Sequence, residues 1–316
     1  MARSDPRQRH GLLVLNKPSG PTSTRCLERI KHTLGQRKIG HAGTLDPMAQ
    51  GVLLVLLGQA TKLAGYLQEG EKIYSGQMKL GVSTDTYDAE GAVVAEAPFD
   101  HLHPDQVRES VLAWTEEREQ TVPPYSAAKH QGKPLYKLSR AGMETPVKTK
   151  QLKVTLAEVL EMDLPWVRFR VRCGVGTYVR SLVHSLGMRL GCGAMLTQLT
   201  REYSHPFGLD QAYDLDPVLE EPERLPDRVL PLDAALPHWP TVLLSDIEAA
   251  KVCNGVELEY AVHQMQDSSS PLPEGGRAIF VARNGSGEER RLLALAEVRL
   301  KDGAPVWSIL RGLWSS

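Results

Sequence analysis

One short segment of the chain concentrates residues that could do chemistry. In KIGHAGTLDPMAQGVLLV, residues 38–55, three glycines, one histidine (His41) and one aspartate (Asp46) lie between positions 40 and 51. Asp46 precedes Pro47, which biases it toward an extended or turn conformation. The glycines allow the backbone to pass close to another molecule. Asp46 is therefore either an Asx-turn residue that bonds its own backbone or a carboxylate held ready for catalysis.

Two residues elsewhere favour the catalytic interpretation of Asp46. Arg180 lies in the first turn of the predicted helix GTYVRSLVHSLG, off its apolar stripe, where a cation opposes the helix dipole and a nearby carboxylate would help. Tyr74 alternates with polar residues in EKIYSGQMKLGV, so it faces the core and its hydroxyl needs a partner. An aspartate beside an arginine stays ionised and can act as a nucleophile. The alternatives are a surface helix charge for Arg180 and an ordinary core aromatic for Tyr74.

Other reaction chemistries find little support in the sequence. The chain contains neither GxxxxGK[ST] nor a GxGxxG that follows a strand, and no Gly-x-Ser-x-Gly elbow occurs. The four cysteines (Cys26, Cys173, Cys192, Cys253) show no CxxC spacing, and His101 and His103 form an isolated pair typical of surface histidines. We therefore expect no metal, no cofactor and no disulfide framework.

The charge distribution indicates a polyanion partner. The net charge is −1, yet residues 1–80 carry 12 basic and 5 acidic side chains, and residues 123–208 carry 13 and 5. Residues 81–122 and 209–316 hold the compensating acids. Two basic blocks would suit a localised face for phosphates, because Lys and Arg gain affinity by releasing condensed counterions. The alternative is solvated charge that is not clustered in space.

Periodicity places these residues on secondary structure. The segments GLLVLNK, GVLLVLLG, EKIYSGQMKLGV and WVRFRVRC are predicted strands, and STRCLERIKHTLG, QATKLAGYLQ, PDQVRESVLAW and GVGTYVRSLVHSLGMRLG are predicted helices. Ser23 is the expected N-cap of the first helix and Gly35 its terminator. In WVRFRVRC the apolar residues face one side and three arginines the other.

The C-terminal part of the chain has a different composition. A segment rich in Pro and acid after about residue 210 is interpreted as a connection. The pieces RAIFVAR, RRLLALAEVRL and APVWSILRGLW flank polar turns such as QDSSSPLPEGG, which predicts a β-barrel or sandwich of roughly 75 residues. The N-terminus lacks the apolar region of a signal peptide, and VLLVLL is too short to span a bilayer, so we expect a cytoplasmic protein without membrane contact.

A set of motifs in this sequence resembles one known family. GHAGTLDPMAQGVL with GQATKL, NKPSGPTS, EKIYSGQMKLGVSTDTYDAEG, PPYSAAKHQGKPLY and GTYVRSLVHSLGMRLGCGA occur in the family's order between about residues 11 and 208. Together they are similar to the TruB family of tRNA pseudouridine synthases. GHAGTLDP followed by GTYVR is highly specific.

The resemblance implies an α+β pseudouridine synthase fold, a mixed and mainly antiparallel sheet with flanking helices and a central RNA-binding cleft. It implies a catalytic domain over residues 1–235, with an RNA-gripping insertion at about 123–152, and a small β-rich PUA-like domain over 236–316. The implied activity is isomerisation of the T-loop uridine, position 55 of tRNA, without a cofactor. The implied partner is the tRNA T stem-loop, bound by a monomer that needs no obligatory protein partner.

The resemblance also implies roles for individual residues. Asp46 is the nucleophile, Arg180 its ion-pair partner, and Tyr74 stacks on the target base and assists proton removal. Tyr178 and Leu199 form the pocket, His41 fills the space that the flipped base leaves, and Lys17 supports the site. Gly43 and Thr44 belong to the segment that enters the RNA loop.

Two departures and two alternatives accompany the resemblance. The family commonly has two arginines after Leu199, whereas Thr200 precedes Arg201 here, so one RNA phosphate contact is expected to be missing beside Arg201. The acidic tail predicts a minor RNA contribution from the C-terminal domain. A non-catalytic tRNA-folding chaperone would share the basic surfaces but would not need Asp46 or Arg180. A guide-RNA-dependent synthase is the other alternative, although the long basic C-terminal extensions of such relatives are not seen in this sequence.

Overall fold

The chain forms one large mixed sheet with helices on one face and a second, smaller sheet on the other. A computed structural model describes residues 8–126, 128–141, 143, 147–260, 271–283 and 290–313. The α-helices are α1 (Ser23–Thr33), α2 (Ala64–Gln68), α3 (Pro104–Leu112), α4 (Leu135–Arg140), α5 (Val179–Arg189), α6 (Leu215–Glu220), α7 (Leu225–Arg228) and α8 (Asp246–Cys253). Short 3₁₀ turns cover Gly58–Leu63, Ala113–Thr115, Leu209–Gln211, Pro222–Arg224 and Leu232–Ala234.

The strands follow the same chain order. They are β1 (Gly11–Lys17), β2 (Ile39–Ala42), β3 (Gln50–Leu57), β4 (Lys72–Leu80), β5 (Val82–Thr84), β6 (Val93–Glu96), β7 (Glu119–Thr121), β8 (Lys129–His130), β9 (Lys133–Pro134), β10 (Thr149–Gln151), β11 (Val154–Asp163), β12 (Trp166–Cys173), β13 (Ala194–Ser204), β14 (Phe207–Gly208), β15 (Tyr213–Asp214), β16 (Val229–Leu230), β17 (Thr241–Leu244), β18 (Leu258–Glu259), β19 (Arg277–Arg283), β20 (Arg290–Lys301) and β21 (Ala304–Gly312).

The large sheet has the order β11-β12-β4-β13-β3-β1-β15, with β2, β14 and β16 attached beside it. Most neighbours are antiparallel, but β13 runs parallel to β3 and β15 runs parallel to β1. The predicted mixed, mainly antiparallel sheet is therefore confirmed. The parallel contact is short and joins Thr200 to Gln50 and Arg201 to Gly51. It brings the end of β13 beside the loop that contains Asp46.

The two faces of the sheet are buried by different partners. On one face Leu13, Leu53 and Phe169 pack in a core with residues of α1, α3 and α5. On the other face Leu12, Val14 and Leu54 pack with apolar residues of β19 and β20. Both faces of β1 and β3 are covered, which explains why GVLLVLLG is continuously apolar rather than alternating.

The alternating strands also agree with the sequence prediction. On β12 the apolar residues Val167, Phe169 and Val171 are fully buried, and Arg168 on the opposite face is exposed. Tyr74 on β4 is only 9% exposed and belongs to the same core. The part of the sheet made by β11, β12 and β4 therefore turns its polar face to solvent.

The predicted helices form, with three corrections: α5 begins only at Val179, the first half of QATKLAGYLQ is a 3₁₀ turn, and one cap differs. The N-cap of α1 is Thr22, whose hydroxyl accepts from Arg25 N–H, and not Ser23 as predicted. Ser23 is buried because its hydroxyl bonds both the N–H and the C=O of Leu45, each at 2.9 Å. Gly35 follows the helix with φ +58°, as its predicted role as terminator requires.

The acidic segment after residue 210 does more than connect. It supplies β15 and β16, which both pair with β1, and Leu215, Val218 and Leu225 are buried in the main core. Beyond it, where the sequence predicted a β-barrel or sandwich, the described residues form one five-stranded sheet, β17-β19-β20-β21-β18, with α8 beside it. The polar stretch QDSSSPLPEGG lies partly outside the described residues, as does part of the predicted insertion at 123–152. Within the described ranges, no helix has the length and apolar character needed to cross a membrane.

Candidate active site

A cavity of about 360 Å³ opens where the Asp46 loop, β4, β13 and the start of α5 meet. All of the predicted site residues except Lys17 line it: His41, Gly43, Thr44, Asp46, Tyr74, Tyr178, Arg180, Leu199 and Arg201. These residues come from segments far apart in the sequence. The large sheet brings them together because β3 and β13 are neighbours and α5 packs against β13.

Asp46 and Arg180 form an ion pair at this cavity. Arg180 Nε lies 2.9 Å from Asp46 Oδ2, and the arginine side chain is 5% exposed whereas the aspartate is 37% exposed. The Nε–H finds no directed acceptor among the described residues, so the contact is electrostatic. The local turn is closed by the backbone, from Ala49 N–H to Asp46 C=O at 3.1 Å. The carboxylate is therefore free of the Asx-turn role and faces the cavity.

Arg180 is held by a second set of contacts on its far side. Its Nη1 donates to the Thr86 carbonyl at 2.9 Å and lies 3.3 Å from Asp88 Oδ2, and its Nη2 donates to the Tyr125 carbonyl at 3.2 Å. The sequence placed Arg180 off the buried stripe of α5, which is correct, yet the side chain is buried all the same. It is buried between two carboxylates rather than in the apolar core.

Asp88 is the main site residue that sequence reasoning missed. Its side chain is 4% exposed and accepts hydrogen bonds from the Thr86 hydroxyl at 2.6 Å and from Glu90 N–H at 3.1 Å. Burial raises the pKa of Asp88, and these bonds and Arg180 oppose that effect. The only sequence signal for Asp88 was the polar turn STDTYDAEG directly after a strand. That turn does not show which of its acidic residues contacts Arg180, 92 positions later.

Lys17 lies behind the Asp46 loop rather than in the cavity. Its fully buried ammonium donates to the carbonyls of Pro18 at 2.8 Å, Pro47 at 3.1 Å and Ala49 at 2.7 Å. Burial lowers the pKa of Lys17. This cation ties the backbone that directly follows Asp46 to the end of β1, and so helps to fix where the carboxylate points.

Arg201 performs a similar task from the other side of the loop. It is 1% exposed, and its guanidinium donates to the carbonyls of Val52 at 2.6 Å, Gly43 at 3.0 Å and Thr44 at 3.4 Å. Gly51 stands against the Arg201 backbone, where a Cβ would lie 2.3 Å from the carbonyl oxygen. In this structure Arg201 holds the glycine-rich loop and is not presented to solvent, as a phosphate contact would need.

Tyr74, Tyr178 and Leu199 form the aromatic and apolar part of the wall. Burial raises the pKa of both tyrosines, so both hydroxyls stay protonated near neutral pH. Tyr178 is the N-cap residue of α5, and its N–H donates to the Gln120 side chain at 2.8 Å. Leu199 is 7% exposed on β13. A flat ring could enter between such surfaces.

His41 and Lys72 complete the surroundings of the cavity. His41 lies on β2 and is half-buried, and burial followed by the charge of Arg201 lowers its pKa, so the imidazole is neutral at pH 7. Lys72 was not predicted; burial lowers its pKa to about 8, and its ammonium donates to the carbonyls of Gln68 and Gly70. Among the described residues, no group of three or more His, Cys, Asp or Glu side chains is arranged to hold a metal ion.

The geometry joins an accessible carboxylate, a buried guanidinium and a protonated tyrosine in one cavity. A carboxylate of this kind can attack an electrophilic carbon, and the adjacent cation stabilises its charge. The surrounding glycine loop and aromatic walls suit a planar, polar ligand.

Comparisons with known proteins agree with this arrangement. Residues 31–179 match the family model described as "TruB family pseudouridylate synthase (N terminal domain)". The chain is 60% identical over 98% of its length to a tRNA pseudouridine synthase B of Nitratidesulfovibrio vulgaris strain Miyazaki F, covering 98% of that protein. It is 58% identical to the enzyme of the same name from Oleidesulfovibrio alaskensis, with both chains covered completely.

A solved structure shares the fold. A chain of a Cbf5-Nop10-Gar1 complex superposes with a TM-score of 0.68 at 25% identity, covering 96% of this chain and 85% of that one. The predicted pseudouridine synthase fold is thereby confirmed, and the curled C-terminal sheet is consistent with the predicted PUA-like domain. On the full-length identity to these relatives, the chain belongs to the TruB family of pseudouridylate synthases.

Proposed function

We propose that this protein is a tRNA pseudouridine synthase that isomerises the T-loop uridine at position 55 to pseudouridine without a cofactor. Relatives that are 58–60% identical over nearly the whole chain are named tRNA pseudouridine synthase B, which supports the reaction and the class of RNA. The position within tRNA rests on the resemblance of the motifs around Asp46 and Arg180. A protein acting on tRNA in this way is expected in the cytoplasm.

The Asp46–Arg180 pair is the observation that carries the proposal. A buried guanidinium 2.9 Å from a carboxylate that is 37% exposed leaves that carboxylate charged, oriented and open to a ligand. We assign Asp46 as the nucleophile and Arg180 as the residue that orients it.

The isomerisation breaks the N1–C1′ bond of uridine and forms a C5–C1′ bond. The hydrogen on C5 leaves as a proton and N1 gains one, so the product has the same composition as the substrate. Asp46 can serve by attack at C6, by attack at C1′, or by assisting elimination to a glycal, and in each case the freed ring turns before it rejoins. Tyr74, which lines the cavity, stacks on the ring and assists removal of the C5 proton through its neutral hydroxyl, because its raised pKa disfavours a phenolate base.

Reaching this cavity requires that the base leave the RNA loop, at a cost of a few kcal/mol. Tyr178 and Leu199 receive the flipped ring, and Gly43 and Thr44 bring the protein backbone close to the RNA. His41, neutral and at the mouth of the cavity, occupies the space that the base leaves. The free energy of these contacts offsets the cost of flipping the base, which explains why so many of them surround Asp46.

The protein must also grip the RNA backbone. Lys150 belongs to the predicted basic insertion at 123–152 and lines the cavity, and we propose that this insertion holds the T stem through phosphate contacts. Lys17 and Arg201 are both buried against backbone carbonyls, so we assign them to positioning of the Asp46 loop. The C-terminal domain, 236–316, carries 10 acidic and 8 basic side chains and contributes little to RNA affinity in this proposal.

The first experiment measures tritium release from an unmodified tRNA transcript that carries [5-³H]uridine. Wild type is expected to release tritium, and Asp46→Asn is expected to release none while it still binds the transcript. Asp163→Asn removes an exposed carboxylate from a distant part of the sheet and is the matched control, expected to react like wild type. Mapping of the modified position tests whether the product lies at position 55.

The same assay separates the remaining alternatives. A protein that binds the transcript but releases no tritium would be a tRNA-folding chaperone. Activity that appears only after a guide RNA or partner protein is added would place the chain with guide-dependent synthases. We expect activity with the single chain and transcript alone, eluting as a monomer in size-exclusion chromatography.

A further inference from the structure

Tyr87 adopts a backbone conformation that tyrosine rarely uses. Its φ is +68°, in the left-handed region that favours glycine. Its ring nevertheless lies flat on the imidazole of His184, with ring centroids 3.8 Å apart and planes 8° from parallel. Burial lowers the pKa of His184, so two neutral rings are stacked at neutral pH. A glycine would satisfy the backbone at this position, so the ring is what the tyrosine adds.

The two stacked residues belong to the elements that hold Arg180. His184 lies on α5 four positions after Arg180, and residues four apart lie on the same side of a helix. Tyr87 lies between Thr86 and Asp88, the residues that contact the Arg180 guanidinium. The turn and the helix therefore meet at two points, one polar through Arg180 and one aromatic through the stack.

Two backbone hydrogen bonds fix the turn to the sheet. Leu196 N–H donates to the Tyr87 carbonyl at 3.1 Å, and Ala89 N–H donates to the Leu196 carbonyl at 2.9 Å, so β13 sets the path of the turn. These bonds do not determine how α5 rotates relative to the turn. That rotation decides whether the Arg180 guanidinium can contact Thr86, Asp88 and Asp46 together.

We propose that Tyr87 and His184 are a positioning pair, whose stacking sets α5 against the Thr86–Asp88 turn and so aims Arg180 at Asp46. The pair touches no reacting atom and acts through Arg180. The inference deepens the proposed function and rests on it for the effect on turnover. Its structural part, the orientation of Arg180, can be measured without the reaction.

The kinetic test compares variants that separate the ring from the backbone. Tyr87→Phe keeps the stack and is expected to retain wild-type kcat. Tyr87→Gly relieves the left-handed backbone but loses the ring, and is expected to lower kcat about three- to tenfold with KM unchanged, the range that one aromatic pair supports. His184→Ala is expected to lower kcat to the same degree. Leu112→Ala, an exposed residue on α3 that lines neither the cavity nor the stack, is the control and should behave as wild type.

A double-mutant cycle tests whether the two residues act together. If they form one unit, Tyr87→Gly combined with His184→Ala should cost little more than either change alone. Full additivity would overturn the pairing. Unchanged kcat in both single variants, with only a lower thermal midpoint, would show that the stack is ordinary packing. A raised KM with unchanged kcat would show that the stack contacts RNA. Either result would overturn the proposal.

An NMR measurement distinguishes failure of this inference from failure of the proposed function. The Arg180 Nε–Hε resonance, assigned by its loss in Arg180→Lys, reports the guanidinium environment in the free protein. We expect a resonance at the wild-type position in Tyr87→Phe, and a shifted or broadened one in Tyr87→Gly and His184→Ala. A wild-type resonance in all three would refute the positioning role, whether or not the chain proves to make pseudouridine.

Discussion

Lys72 is expected to make the stability of this protein rise with pH above neutrality. It is 5% exposed, lies two residues before Tyr74, and has a pKa that burial lowers from 10.5 to about 8. Its ammonium donates to the carbonyls of Gln68 and Gly70 and so caps the C-terminal end of α2. The folded protein therefore binds the Lys72 proton less tightly than the unfolded chain does.

The sign and size follow from proton linkage. Between pH 8 and 10.5 the unfolded state carries more of the Lys72 proton, so the free energy of unfolding increases with pH in this window. Below pH 8 the folded state bears the full penalty of a buried ammonium, about 3 kcal/mol for a shift of this size. Raising the pH from 7 to 10 should remove about 2.5 kcal/mol of that penalty.

The measurement is urea unfolding of wild type and two variants between pH 7 and pH 10. Lys72→Met removes the titrating group, and Lys72→Arg replaces it with a guanidinium that stays charged throughout the range. Wild type should gain about 2.5 kcal/mol relative to either variant as the pH rises. Differences that stay constant with pH would show that the folded-state pKa of Lys72 is not lowered, and would refute the reasoning.

Three further substitutions test how the Asp46 loop and its ion pair are held. Lys17→Met leaves the carbonyls of Pro18, Pro47 and Ala49 without their donor but also relieves the burial penalty that lowers the Lys17 pKa, so urea titrations should show a loss of about 1–3 kcal/mol in the free energy of unfolding. An unchanged or higher free energy of unfolding would contradict the role given to Lys17. Gly51→Ala places a methyl group on a residue with φ +103° and against the Arg201 carbonyl. Unfolding followed by circular dichroism should show a free energy of unfolding about 2–4 kcal/mol lower, or the variant should fail to fold. A wild-type free energy of unfolding would contradict the close approach of Gly51 to Arg201. Asp88→Asn removes the second carboxylate beside Arg180 and should lower kcat at least about tenfold with tRNA binding intact. Unchanged turnover in the tritium assay would show that the guanidinium is oriented without Asp88.

The secondary structure near the site follows closely from local pattern. The alternation in WVRFRVRC and EKIYSGQMKLGV gave the strands, the buried face and the inward position of Tyr74. These patterns are legible because one face of each strand meets a core and the other meets water. The cap of α1 was wrong for the opposite reason: Ser23 bonds Leu45, a partner 22 positions away that no local rule identifies.

The candidate site also combines residues that the sequence identified with contacts that only the structure shows. The family motifs named Asp46, Arg180 and the wall residues, and the structure places them around one cavity. The structural roles of Arg201 and Asp88 could not be predicted from these motifs. A buried arginine that binds loop carbonyls and a surface arginine that binds phosphate look alike in sequence, because burial depends on which strands become neighbours.

The sequence by itself determined the family, the main strands and helices, and the residue types that line the cavity, because each is a local pattern or a motif of fixed spacing. Only the tertiary structure decided how those residues are held. The parallel contact of β3 with β13 set Arg201 under the Asp46 loop, and the packing of α5 against the Thr86–Asp88 turn gave Arg180 its second carboxylate and the Tyr87–His184 stack. These contacts join positions far apart in the chain, and their free energy depends on burial that exists only after the sheet has formed.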